Sequence, residues 1–264
     1  MYGRQPGGFQ TVSFGFGGSG PPPRDVLILL AVVFVTFSLR FFEGAALIPH
    51  LLELSTAVYR PGFVWQIFTY PFIGMGTPSL WFLLELLILF WFARDTFRAL
   101  GQKRFWRMTV TVAAGAALAA VVTQVLMDLA SGGGASANAF LLMQGQRMLL
   151  VIYIAAFATL FQHASILLFF VLPVQARWFL WLEILFGFMG FLGTRDLAGF
   201  VGICTAVFLT WSSLQPGGLR QILYRWRLRL RKVRYERELG HMKDRRGFHV
   251  VKDDGEIRKG PWVN

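Results

Sequence analysis

Among the charged side chains inside or against long apolar runs, chemistry would start from six: Arg40 and Glu43, Glu85, Arg147, and Arg195 beside Asp196. An acid can move a proton. Arginine can hold an anion, but it is a permanent cation without a usable lone pair and cannot attack a carbonyl. Nucleophiles are few. Cys204 is the single cysteine and lies within an apolar run, so no internal disulfide and no cysteine metal site can be built. Ser136, in the Gly/Ser/Ala segment 131–138, would need a base within hydrogen-bond reach. The histidines fall elsewhere: His50 at the end of the first run, His163 between later runs, His241 and His249 near the carboxyl end. No cofactor and no metal is expected.

The elements that must position these residues are set by hydropathy. Of 264 residues, 55% are hydrophobic and 16% aromatic, more apolar surface than a soluble core of this length buries, so lipid must take the excess. The runs are continuous rather than alternating, which favours helices over a barrel. Residues 1–23, Gly/Phe/Pro-rich and ending in Pro21-Pro22-Pro23, read as a disordered cytoplasmic leader. Spans are expected over Val26 to about Ile48, Leu80 to Ala93, Met108 to Leu129, a fourth ending near Phe161, Ile166–Val171 with Arg177–Leu192 broken at Pro173, and Leu197 to Trp211. In the first, Arg40 and Glu43 either pair on one face or lie at the interface beyond a helix that ends near Leu39. Residues 49–78, rich in proline and aromatic side chains, read as a large interfacial loop. The small residues Ala113 to Ala117 should let the third span approach a neighbour closely.

Basic residues orient the whole. Arg4, Arg24, the cluster Arg94, Arg98, Lys103, Arg104 and Arg107, then Arg177 and the tail fall on one side, against Arg60, Arg147 and Arg195 on the other. Both termini are therefore expected in the cytoplasm, and a bacterial inner membrane is the expected location. In the tail, residues 215–264, Arg225, Arg227, Arg229, Arg231, Lys232 and Arg234 alternate with Trp226, Leu228, Leu230 and Val233. This pattern suits a juxtamembrane helix on anionic lipid head groups, and nucleic acid is not an expected partner.

Four blocks, in order, resemble the rhomboid intramembrane serine protease family: Trp65-Gln66-Ile67-Phe68-Thr69-Tyr70-Pro71-Phe72 (W-R-x-F-T-Y-x-F), Ala99-Leu100-Gly101-Gln102-Lys103-Arg104-Phe105 (L-G-S-x-R-F), the segment from Phe157 through Ile166 to Trp178, and Leu197-Ala198-Gly199-Phe200. The resemblance covers about residues 26–212 and implies a six-helix membrane bundle over 24–214. It also implies a serine nucleophile at the start of span four, a histidine base on span six, and a histidine and an asparagine on span two that hold the oxyanion.

Residue by residue, the resemblance places Arg147 at the nucleophile, Asp196 at the base, and Trp81 and Glu85 at the oxyanion positions. A carboxylate at Glu85 would repel an oxyanion. The family's second span-six glycine falls on Ile203, with Gly202 one place early, which puts close packing there in question. In another register Gly134-Ala135-Ser136-Ala137 matches the G-A-S-G nucleophile motif, but no histidine base accompanies it. The fold expected is an all-α, rhomboid-like bundle of six transmembrane helices. The function expected is that of a pseudoprotease, a non-catalytic member that binds membrane-protein clients or partner helices, with Trp65, Phe68, Arg195 and Gly199 as contact residues. An active protease around Ser136, or a transporter or channel, would be the alternatives. Arg147, Asp196, Glu85 and Arg195 are expected either to form a buried ion-pair cluster or, for the two arginines, to reach the outer interface unpaired.

Overall fold

The computed structural model describes residues 21–42, 44–45, 47–76, 79–130, 139–162, 164–168 and 172–215. Pro23 is extended, and α1 (Arg24–Leu39) starts directly after it. Asp25 sits in its first turn, where a carboxylate suits the helix dipole, and accepts from Gln102 Nε2 at 3.1 Å and Trp106 Nε1 at 3.3 Å. The first apolar run is not one helix to Ile48. It breaks at Arg40, whose guanidinium turns back to Glu53 at 2.8 Å and to the Gly74 carbonyl at 3.4 Å, and α2 (Leu47–Leu52) then begins separately. The helix ends near Leu39 as the second reading had it, while Glu43 lies outside the described residues.

The expected loop is a folded segment of short helices: α2, a 3₁₀ turn at Thr56–Val58, α3 (Gln66–Thr69) and a 3₁₀ turn at Tyr70–Phe72. Polar side chains hold it together. Buried Gln66 accepts from the Ser55 amide at 3.1 Å and its hydroxyl at 2.9 Å and donates to the Leu51 carbonyl at 3.2 Å. Fully buried Tyr70 donates to the Ala113 carbonyl at 3.0 Å, and Thr36 of α1 donates to the Phe72 carbonyl at 3.0 Å.

Next come α4 (Leu80–Leu100) and α5 (Gln102–Ala130), reversed at the single residue Gly101, then α6 (Gln146–Leu160), α7 (Trp178–Thr194) and α8 (Leu197–Leu214). α4 runs two turns beyond the expected Ala93, to Leu100, and in those turns Arg94 pairs with Asp95 at 3.2 Å. Between α6 and α7 the chain is not helical. Ser165–Leu168 (β1) pairs antiparallel with Leu172–Gln175 (β2), Ile166 opposite Val174. The expected all-α class holds for the bundle, with this short hairpin as the one addition among the described residues. The β-branched and proline residues that disfavour a helix are accommodated in a small hairpin, and the fifth helix starts only at Trp178.

α5 packs most extensively on α8. Ala113, Ala116, Ala117 and Ala120 are buried on one face of α5, and a Cβ at Gly115 would run into Leu209 of α8. Gly202 supplies the close approach expected of the next position: a Cβ there would meet Met143 Sδ at 2.6 Å and Ala120 Cβ at 3.3 Å. Ile203, also buried, faces Gly187 of α7. Aromatic pairs fill the rest, with Phe105 stacked on Tyr153 at 5.0 Å and Phe92 edge-on to Phe157 at 5.2 Å. The outer faces stay apolar and exposed, among them Leu80, Trp81, Leu126, Trp181, Phe186 and Leu192. Among the described residues two helices, α5 and α8, are long and apolar enough to cross a membrane, while α6 and α7 are apolar but shorter.

Candidate functional site

The turn from α7 into α8 brings Asp196 to the amino end of α8, where it is the cap. It is 3% exposed and, among the described residues, has no ion-pair partner. Its Oδ1 accepts from Gly199 N at 2.8 Å and Phe140 N at 3.1 Å, and its Oδ2 accepts from Leu142 N at 3.0 Å. Three amides therefore hold the carboxylate, which ties the left-handed Phe140 and the 3₁₀ turn Leu141–Met143 to the start of α8. Gly199 is buried and must be glycine, because a Cβ there would overlap the Asp196 carboxylate. Its place is inside this turn rather than on a surface that a partner could touch.

Opposite, the segment Gln144-Gly145-Gln146 acts as a double clamp. The Gln144 side chain accepts from Leu54 N at 3.2 Å and donates to the Leu54 carbonyl. The Gln146 side chain accepts from Met75 N at 2.6 Å and donates to the Met75 carbonyl at 2.7 Å and to Glu85 Oε2 at 2.8 Å. Each amide thus pairs with the N–H and C=O of one residue, as a neighbouring strand would. Gly145 between them has φ +63°, and a Cβ would collide with the Ile73 carbonyl, to which Gln146 N donates at 3.0 Å. Both glutamines are buried.

The ion-pair cluster does not form. Arg147 and Arg195 are exposed, and among the described residues neither has an ion-pair partner. Arg147 follows inward-pointing Gln146 on the first turn of α6 and so faces out, while Arg195 is the left-handed residue, φ +59°, that ends α7. Asp196 is satisfied by backbone amides and half-buried Glu85 by the Gln146 side chain instead, which avoids bringing a second charge out of water. Trp81 is exposed on α4, one turn before Glu85. Trp65 and Phe68 are about half exposed on α3, the Trp65 indole donating to the Leu51 carbonyl at 3.1 Å. Ser136, His163 and the tail residues Arg225, Arg227, Arg229, Arg231, Lys232 and Arg234 lie outside the described residues.

Two polar groups escaped the sequence reading. Tyr59 donates to Asp128 at 2.6 Å, Gln124 donates to the same carboxylate at 2.8 Å, and Arg60 stands 3.8 Å away, all at the far end of α5. Burial first, and then the Asp128 carboxylate, push the Tyr59 phenol up to about 12. Glu183, buried on α7, has neither oxygen hydrogen-bonded. A Gln-x-Gln pair flanking a glycine and an Asp-x-x-Gly at a helix start were the available signals for the clamp and the cap. Glu183 had only its place in an apolar run. Among the described residues no group of three His, Cys, Asp or Glu could hold a metal ion.

No protein-family model matches the chain, and no curated protein matches it.

Proposed function

We propose that the chain is a rhomboid-like six-span membrane protein that lacks protease chemistry, a pseudoprotease that binds membrane-protein clients. The exposed apolar faces of α1, α4, α5, α7 and α8 support the membrane reading, since water would penalise so continuous an apolar surface. The observation that carries the non-catalytic reading is Asp196. Both of its oxygens accept backbone N–H groups, so the carboxylate is engaged in holding the α8 cap. Beside it, Gln146 spends its amide on Met75 and Glu85, and the Thr194 hydroxyl donates to the Gly190 carbonyl at 2.9 Å.

Exposed Trp65 and Phe68, and the exposed α7 side chains Trp181, Phe186 and Met189, are the surfaces offered to client helices. Photo-crosslinkers placed at Phe68 and Phe186 should capture membrane proteins in native membranes, and a crosslinker at Leu126 on α5 should capture far fewer. Equal capture at all three would refute a dedicated client flank. The purified chain should not react with a fluorophosphonate probe. Labelling that disappears in Ser136→Ala would replace this reading with an active serine protease.

A further inference from the structure

One cavity lies away from the Asp196 and Gln146 corner. It has a volume of about 460 Å³ and is lined by Gln162, Arg177, Trp178, Leu180, Trp181 and Trp211. These residues come from three elements at one end: Gln162 follows the last turn of α6, Arg177 immediately precedes α7, and Trp211 is in the last turn of α8. In the six-span reading this end is the cytoplasmic interface, the depth at which an indole keeps its ring in hydrocarbon and its N–H among head groups.

The lining is not a uniform apolar wall. The Arg177 guanidinium lies 5.8 Å from the centroid of the Trp178 ring. Among the described residues it has no carboxylate partner. The Gln162 amide is a second donor. Trp181 and Leu180 continue along α7 from the cation, so a polar mouth leads onto an apolar track. A fixed cation, amide and indole donors and an adjoining apolar slot are complementary to a phosphodiester head group carrying an acyl chain.

We propose that this cavity is a binding site for one anionic phospholipid, its phosphate on Arg177 and Gln162 and an acyl chain along Trp181, Leu180 and Trp211. The site rests on the membrane-spanning reading but not on the client-binding one. It is separate from the basic tail, which is expected to hold anionic lipid through many weak surface contacts.

The full chain in detergent micelles can be titrated with phosphatidylglycerol or phosphatidylcholine brominated in the acyl chains, following tryptophan quenching. Half-quenching should need less phosphatidylglycerol than phosphatidylcholine. Arg177→Gln should raise the phosphatidylglycerol midpoint about fivefold, the factor corresponding to about 1 kcal/mol for one basic residue at a membrane surface, and leave phosphatidylcholine unchanged. Trp181→Phe and Trp211→Phe should each reduce the selective quenching. A chain with the six tail residues Arg225, Arg227, Arg229, Arg231, Lys232 and Arg234 replaced by glutamine should keep the preference. Equal midpoints for the two lipids, or a preference lost with the tail and kept in Arg177→Gln, would overturn the site. If the spanning reading itself fails, neither lipid quenches and alkaline carbonate strips the protein from membranes.

Discussion

A buried carboxylate can be kept in apolar surroundings by amides alone, and Asp196 does this with three of them. Asp196→Ala leaves the Phe140 and Gly199 N–H groups buried without acceptors, at about 1–3 kcal/mol each. The melting temperature in detergent should drop sharply, and Asp196→Asn, which keeps one acceptor oxygen, should lose less. Unchanged melting in the alanine variant would mean that the cap contributes nothing. Arg147 is the contrasting residue. Exposed and unpaired, its replacement by alanine should shift stability by no more than about 0.5 kcal/mol in the same melts. Arg60 would be a poor neutral control, since it stands 3.8 Å from Asp128. The neighbouring Tyr59 gives a pH signature with a definite sign. Its usual value of 10.0 rises to about 12 on folding, so the folded state favours the neutral phenol that donates to Asp128. That stabilisation is complete below pH 10 and is lost as pH rises from 10 through 12. Melts of wild type and Tyr59→Phe should therefore converge across that window, and a constant gap between them would contradict it.

The helices themselves were mostly legible from hydropathy, because a long apolar run between charged ends has few other ways to satisfy its backbone. What hydropathy could not place was the chain between them. Arg40 reads as part of the first run, yet its partner Glu53 lies just past the end of a separate short helix, and no local spacing rule encodes that contact. Residues 166–171 are as apolar as a span, but it is the pairing of Ser165–Leu168 with Leu172–Gln175 that makes two strands there. At the candidate site the replaced residue types were plain in the sequence. Their partners were not, since Asp196 was expected opposite arginine and meets amides. The Gln144-Gly145-Gln146 clamp is the element that fastens the segment between α1 and α4 to α6. Gln146→Leu removes the partners of Met75 N and O and of Glu85, so amides around residues 73–76 should exchange hydrogen faster, while those of α5 keep their protection. Equal protection in both proteins would show that the clamp is incidental. Gly202→Val tests the other joint. Its side chain would enter the Met143 and Ala120 contact, and a strained, less stable α5–α8 pair is expected in thermal melts.

At the scale of the molecule, two helices among the described residues meet the length and hydropathy of a span by themselves, and the other described ones are shorter or carry charges such as Glu85, Arg94, Asp95 and Arg98. The six-span arrangement depends on those marginal helices crossing as well. Helices of 15 to 17 residues, α6, α1 and α7, reach only about 22–26 Å at 1.5 Å per residue, short of a typical hydrocarbon core of about 30 Å. They can cross if the bilayer thins locally or flanking residues snorkel, and Arg147, exposed at the first turn of α6, and Arg177, beside α7, are placed to do so. The proposed direction rests on where the basic residues fall. The single native cysteine makes the arrangement directly testable, since Cys204→Ser yields a background without thiols. Cysteines introduced at Arg60 and Arg195 should react with a membrane-impermeant maleimide in intact cells, whereas cysteines at Lys103 and Gln162 should react only after the membrane is permeabilised. The pair at 195 and 162 is decisive for α7, because the two positions flank it and must fall on opposite sides if it crosses. Labelling of both from outside would leave α7 as a surface helix and would remove the cytoplasmic placement of the Arg177 cavity with it.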